Sequence, residues 1–137
     1  MNSLAHIEIN VSDLKKSREF YSKIFNFLGW KEISLDKPDL ITGFRAEDKT
    51  HIFLVQTEER FSSNGYHRKN VGMNHVAFRV NNPEEVDNLN TFLQELGIST
   101  LYTHGPADYS SEYQMEHYYA VFFEDPDRMK LEVVYCK

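Results

Sequence analysis

Polar and apolar residues alternate strictly from residue 6 to residue 11. Ile7, Ile9 and Val11 share one face and His6, Glu8 and Asn10 the other, as in a strand with one buried side. From residue 14 the period changes: Leu14, Tyr21, Ile24, Phe25 and Leu28 recur at helical spacing, with Ser12 or Asp13 placed to cap the helix and Gly29 to end it. Short strand patterns follow near 30–35, 39–46 and 51–57, punctuated by Pro38 and by Glu47-Asp48-Lys49. A polar stretch containing Ser62-Ser63-Asn64-Gly65 interrupts the pattern.

The cycle then restarts. Val76, Phe78 and Val80 alternate with His75, Ala77 and Arg79, and Asn82-Pro83-Glu84-Glu85 predicts a helix start with Asn as cap, Pro at the first position and Glu completing a capping box. Val86, Leu89, Leu93 and Leu96 form its apolar stripe, and Gly97 follows His75 at nearly the spacing at which Gly29 follows His6. Further strands are predicted near 98–103, 117–124 and 129–136, the last two separated by an Asp125-Pro126-Asp127 turn. The chain therefore reads as α+β: two tandem βαβββ modules, 1–60 and 72–137, joined by a polar connector over 61–71 in a single domain. Each module alone leaves a sheet face and an edge exposed, so the expected arrangement is a curved, cupped, mostly antiparallel sheet with the helices outside.

Composition narrows the partners. A net charge of −6 argues against binding to a phosphate backbone, so no nucleic-acid partner is expected. No apolar run reaches membrane-spanning length, and the chain enters its first strand without a basic start or apolar leader. The single cysteine, Cys136, excludes an internal disulfide. The expected location is the cytoplasm, with no membrane partner.

Strand parity selects the candidate chemistry. His6 and His75 occupy the same place in the two modules, opposite the aliphatic residues that pack on the helices. On the last strand Leu131 and Val133 share one face, leaving Lys130, Glu132 and Val134 on the other, with Glu132 in an apolar setting where a carboxylate needs a partner. Two imidazoles and one carboxylate from three strands form a facial set suited to a divalent ion such as Fe, Mn, Zn, Ni or Co, with positions left for substrate or water. In the strand near 117–124, His117 and Tyr119 alternate with Tyr118 and Phe122, and parity does not say which set lines the cup. The long loop from His104 to Tyr113 reads either as a lid bearing Tyr109 or Tyr113 or as a surface excursion.

The segments His6-Ile7-Glu8-Ile9-Asn10-Val11-Ser12-Asp13-Leu14 with Phe20-Tyr21, Asn74-His75-Val76-Ala77-Phe78, and Phe123-Glu124-Asp125-Pro126-Asp127 running to Leu131-Glu132 together resemble the vicinal oxygen chelate superfamily. That group contains glyoxalase I, the bleomycin- and fosfomycin-resistance proteins, methylmalonyl-CoA epimerase and the extradiol dioxygenases. The resemblance covers essentially the whole chain and implies that His6, His75 and Glu132 are metal ligands. It also marks departures. Glyoxalase I has a fourth ligand, a Glu that doubles as base, at a position that aligns with Leu54 (Gln56 only with a register shift). The dioxygenases carry Tyr where Phe122 stands, and the family turn usually has Gly where this chain has Arg128.

The expected function is therefore that of a metal-dependent enzyme acting on a small metabolite with vicinal oxygens, by Lewis-acid stabilisation of an oxyanion or enolate. Lyase, isomerase and dioxygenase chemistry all remain open, with glyoxalase I itself disfavoured. Glu8, His117 and Tyr119 are the candidate bases. The alternative is a bleomycin-resistance-like protein that sequesters an aromatic molecule without metal or turnover. The resemblance and the unpaired half-domains also imply a homodimer.

Overall fold

A computed structural model describes residues 4–102 and 105–137, and divides the chain into two compact units, Met1–Gly65 and Tyr66–Lys137. The first unit contains β1 (His6–Val11), α1 (Leu14–Phe27), β2 (Lys31–Ile33), β3 (Ile41–Arg45) and β4 (His51–Gln56). Its sheet has the order β1-β4-β3-β2, with β1 parallel to β4 and the other pairs antiparallel. The second unit contains β5 (His75–Arg79), α2 (Pro83–Glu95), β6 (Ala107–Asp108), a one-turn α3 (Ser110–Tyr113), β7 (Tyr118–Glu124) and β8 (Lys130–Cys136). Its sheet repeats the topology as β5-β8-β7-β6. The fold is α+β, built from two βαβββ modules, each with a mixed and mostly antiparallel sheet.

In the first unit Asp13 is the residue that caps α1, its carboxylate accepting from the Lys16 amide at 3.1 Å. Gln56 completes the helix start from the end of β4: its side-chain oxygen accepts from the Leu14 amide and its nitrogen donates to the Ser12 carbonyl, both at 2.9 Å. The apolar face of α1 then delivers Tyr21, Ile24 and Phe25, all fully buried, onto Phe44, Ile52 and Leu54, and Trp30 stacks on Phe25 at 4.9 Å.

In the second unit Asn82 caps α2 by accepting from the Glu85 amide at 3.0 Å. Glu85 reaches back one residue further than a capping box requires, accepting from the Asn81 amide at 3.0 Å. The strand expected over 98–103 is reduced to a bridge between Thr100 and Phe123; the pairing with β7 passes instead to Ala107 and Asp108. His104 at the start of the long loop, and Thr103 before it, lie outside the described residues.

The turn between β7 and β8 is organised by Asp125, whose carboxylate accepts from the amides of Asp127 and Met129, both at 2.8 Å. Arg128 stands in it with φ = 66°, a left-handed conformation that L-residues other than Asn and Asp rarely adopt. Its ion pair with Glu124, at 3.6 Å and on an exposed side chain, offsets little of that strain. Arg128→Gly is expected to stabilise the protein by about 0.5–1 kcal/mol, the relief of left-handed strain less the added freedom of the unfolded chain. A urea midpoint that falls in the variant would contradict this.

Candidate functional site

Pairing register decides which side chains share a face. In the second unit His75 lies opposite Lys130, Ala77 opposite Glu132, and Phe122 also opposite Glu132. One face of the sheet thus carries His75, Lys130, Glu132, Tyr118 and Phe122, while Leu131, Val133, Val121 and Phe123 pack into the core beneath α2.

Glu132 is at the centre of that face and fully buried. Its Oε1 accepts from the Tyr118 hydroxyl at 2.7 Å, and its Oε2 lies 3.0 Å from His75 Nε2. The imidazole is oriented from behind. Asn74 commits its amide nitrogen to the Arg68 carbonyl at 3.2 Å and so presents its oxygen to His75 Nδ1 at 2.7 Å. That oxygen can only accept, so Nδ1 carries the hydrogen and a neutral ring turns its bare Nε2 towards Glu132. Two acceptor groups 3.0 Å apart repel unless they share a positive charge, either a proton or a metal cation. An imidazole whose far nitrogen donates to a fixed oxygen, beside a carboxylate itself held by a hydroxyl, is the donor set that suits a divalent metal. The group implied by the sequence resemblance therefore fits the residues present.

Burial, reinforced by the hydrogen bond to Glu132, pushes the Tyr118 phenol far above its ordinary value, so it acts as donor and not as base. Tyr113 of α3 stacks on Tyr118 with 4.1 Å between ring centroids, and its phenol is likewise raised, first by burial and then by the charge of Glu132. Phe122 is the second focus of the face. The His75, Tyr102 and Tyr109 rings meet it edge-on at 6.3, 5.6 and 5.3 Å, and the Lys130 ammonium sits 4.5 Å above it. The described part of the loop thus brings both Tyr109 and Tyr113 onto this face, held by β6 and by the Tyr118 amide donating to Ser110 Oγ at 2.9 Å.

The remaining candidates are placed elsewhere. Tyr119 is on the opposite face of β7, where its hydroxyl donates to Asp87 of α2 at 2.7 Å; that bond, then burial, pushes its pKa up to about 12. His117 lies against Tyr135, at 6.1 Å, and with Tyr119, Asp87 and Asp108 lines an open cavity of about 260 Å³ on the helix side. Neither joins the cluster around Glu132, because register puts Tyr118, not Tyr119, beside it.

His6 and Glu8 belong to the first unit and share the exposed face of β1. The His6 ring meets Phe53 edge-on at 5.7 Å. Register also corrects the expected position of the missing fourth ligand. Glu8 pairs with Phe53 as Ala77 pairs with Glu132, so the counterpart of Glu132 is Phe53. Leu54 pairs with Ile9 and is wholly buried in the core, and Gln56 is occupied at the start of α1. Phe53 lies over Gly43, where an added Cβ would come within 2.9 Å of its ring, so the glycine makes the room. Within either unit, the described residues contain no group of three or more His, Cys, Asp or Glu side chains able to hold an ion; the second unit brings together two candidate ligands, His75 and Glu132. No helix among the described residues is long and apolar enough to cross a membrane.

Strand parity leaves open whether Tyr118 and Phe122 or His117 and Tyr119 line the site, and register selects the first pair; Asn74 is the part of the site that sequence reasoning does not single out. The Asn74-His75 pair was visible, but only register shows what the asparagine holds.

Comparison with known proteins agrees with this architecture. The chain is 36% identical over 129 residues to the uncharacterised protein YqjT of Bacillus subtilis (strain 168), covering 94% of this chain and 95% of that one. A crystal structure of a candidate glyoxalase from Bacillus halodurans superposes with a TM-score of 0.79 at 35% identity, over 96% of this chain and 94% of that one. A glyoxalase/dioxygenase from Nostoc punctiforme shares the fold with a TM-score of 0.73 at 22% identity, over 98% and 91% of the two chains. The family model of the Glyoxalase/Bleomycin resistance protein/Dioxygenase superfamily matches residues 3–133, and the chain belongs to that superfamily.

Proposed function

We propose that the protein is a metal-dependent enzyme acting on a small metabolite with two vicinal oxygens. The observation that carries this reading is the convergence of His75 Nε2 and Glu132 Oε2 at 3.0 Å, with the far side of the imidazole held by Asn74. His75, Glu132 and His6 would hold the divalent ion, with His6 supplied by the first module of the same chain or of a second copy. When bound, the ion would supply Lewis-acid stabilisation of an oxyanion or enolate.

The protein's own residues have definable tasks. Asn74 fixes the ring of His75, and Tyr118 fixes the carboxylate of Glu132 by donating to Oε1, leaving Oε2 for the ion. Tyr109 packs edge-on against Phe122 and Tyr113 stacks on Tyr118, framing the site with aromatic rings. Tyr118 keeps its proton, so proton transfer falls to Glu8 among the candidate bases, on the face of β1 that also bears His6. Phe53 at the counterpart of Glu132 provides neither ligand nor base, which argues against glyoxalase I chemistry.

Elemental analysis of protein prepared without an affinity tag tests the reading. About one divalent ion per chain is expected, lost in His75→Ala and in His6→Ala; a chain that stays metal-free when given Mn, Fe, Co, Ni or Zn would defeat it. The aromatic cover over Phe122 favours one other reading, sequestration of an aromatic molecule without metal. Tight binding of such a molecule by metal-free protein, without turnover, would support it. The proposed assembly is a homodimer, and sedimentation showing a monomer with full metal content would exclude a site shared between chains.

A further inference from the structure

Lys130 carries a charge that the described residues do not neutralise. The residue is only 9% exposed, yet no carboxylate among the described residues lies within 4.0 Å of its ammonium. The acid nearest in register is Glu124, which is engaged by Arg68 and Arg128. The ammonium instead rests over two rings, 4.5 Å from the centroid of Phe122 and 5.0 Å from that of Tyr102. Ring faces offset only part of the cost of taking an ammonium out of water, and a buried cation normally acquires an anion. It is aimed at the site: His75 lies opposite Lys130 in register, Glu132 is two residues further along the same face, and both His75 and Lys130 touch Phe122.

We infer that the Lys130 ammonium is the counter-charge for a carboxylate on the substrate, so that the site takes a small 2-oxo or 2-hydroxy acid with an apolar or aromatic tail. The arrangement suits such a molecule. His75 lies directly opposite Lys130 on the neighbouring strand, so one carboxylate oxygen can meet the ammonium while the other and the 2-oxygen face His75 and Glu132. The tail then lies along the rings of Tyr109 and Phe122. Only the placement of the vicinal oxygens rests on the proposed metal site; the pairing of Lys130 with a carboxylate does not.

Two probes of one shape test the inference: phenylglyoxylate, an aromatic 2-oxo acid, and its neutral methyl ester. Their affinities are measured by calorimetry on the full chain, metal-free and with Mn²⁺, for the wild type, Lys130→Met and Lys130→Arg. The acid is expected to bind the wild type at least about tenfold more tightly than the ester. Lys130→Met should remove that preference, and Lys130→Arg should keep part of it. Equal affinity for acid and ester in the wild type, a preference that survives Lys130→Met, or no binding of the acid would each overturn the inference. Manganese titration of the same samples reads the metal site separately. Failure to bind the ion would sink the proposed metal chemistry while the ratio of acid to ester still reports on Lys130.

Discussion

Glu132→Gln is expected to abolish metal binding and leave the fold intact. The substitution keeps the volume of a fully buried side chain. Its amide oxygen can still accept from Tyr118 at the place of Oε1, and its amide nitrogen can donate to the bare Nε2 of His75, so no buried polar group loses a partner. The negative charge that offsets a divalent cation is gone. Losing an outer partner of a metal ligand weakens binding by about 10–100-fold, so losing a ligand should exceed that. Glu132→Ala makes the contrast. It removes the same charge, opens a cavity, and strands both the Tyr118 hydroxyl and His75 Nε2, at a cost of about 2–4 kcal/mol. Metal titration and urea denaturation of the two variants should therefore separate. Undiminished affinity in Glu132→Gln would remove the carboxylate from the metal site.

Tyr118→Phe should show a different signature, read in stability against pH. The hydroxyl donates to a buried carboxylate, and its removal leaves Glu132 Oε1 without that partner, costing about 1–3 kcal/mol near neutrality. In the folded protein this phenol is raised far above its ordinary value, whereas in the unfolded chain it ionises near 10. The stability linked to its proton is thus fully present below about pH 10 and is lost as pH rises towards the folded value. Tyr119, raised by Asp87, contributes with the same sign between about 10 and 12. Unfolding free energy should fall with pH above 10 in the wild type and less steeply in Tyr118→Phe. Equal slopes would mean that the buried hydrogen bond does not form in solution.

What the chain reveals before folding depends on whether a feature is local. The duplicated βαβββ plan, the caps at Asp13 and Asn82, and the face shared by Lys130 and Glu132 are written in short-range periodicity and capping residues, which sequence displays directly. Cross-strand register is not displayed, and a slip of one residue moves every side chain to the other face. That is why Phe53 replaces Leu54 as the counterpart of Glu132, and why Tyr118 rather than Tyr119 meets the carboxylate. The strand after α2 was misplaced for a related reason: Thr100 keeps only a bridge to Phe123, and a two-residue strand at 107–108 has too short a pattern to recognise. The strained backbone at Arg128 is signalled in the sequence only by the resemblance, which implies glycine at that turn.

Anomalous diffraction from crystals grown with zinc is the most direct test of the account, because it locates the ion and not merely its presence. A single strong peak is predicted about 2.0–2.2 Å from His75 Nε2, Glu132 Oε2 and a ring nitrogen of His6. A peak lacking His75 and Glu132, or no peak near them at saturating zinc, would contradict it.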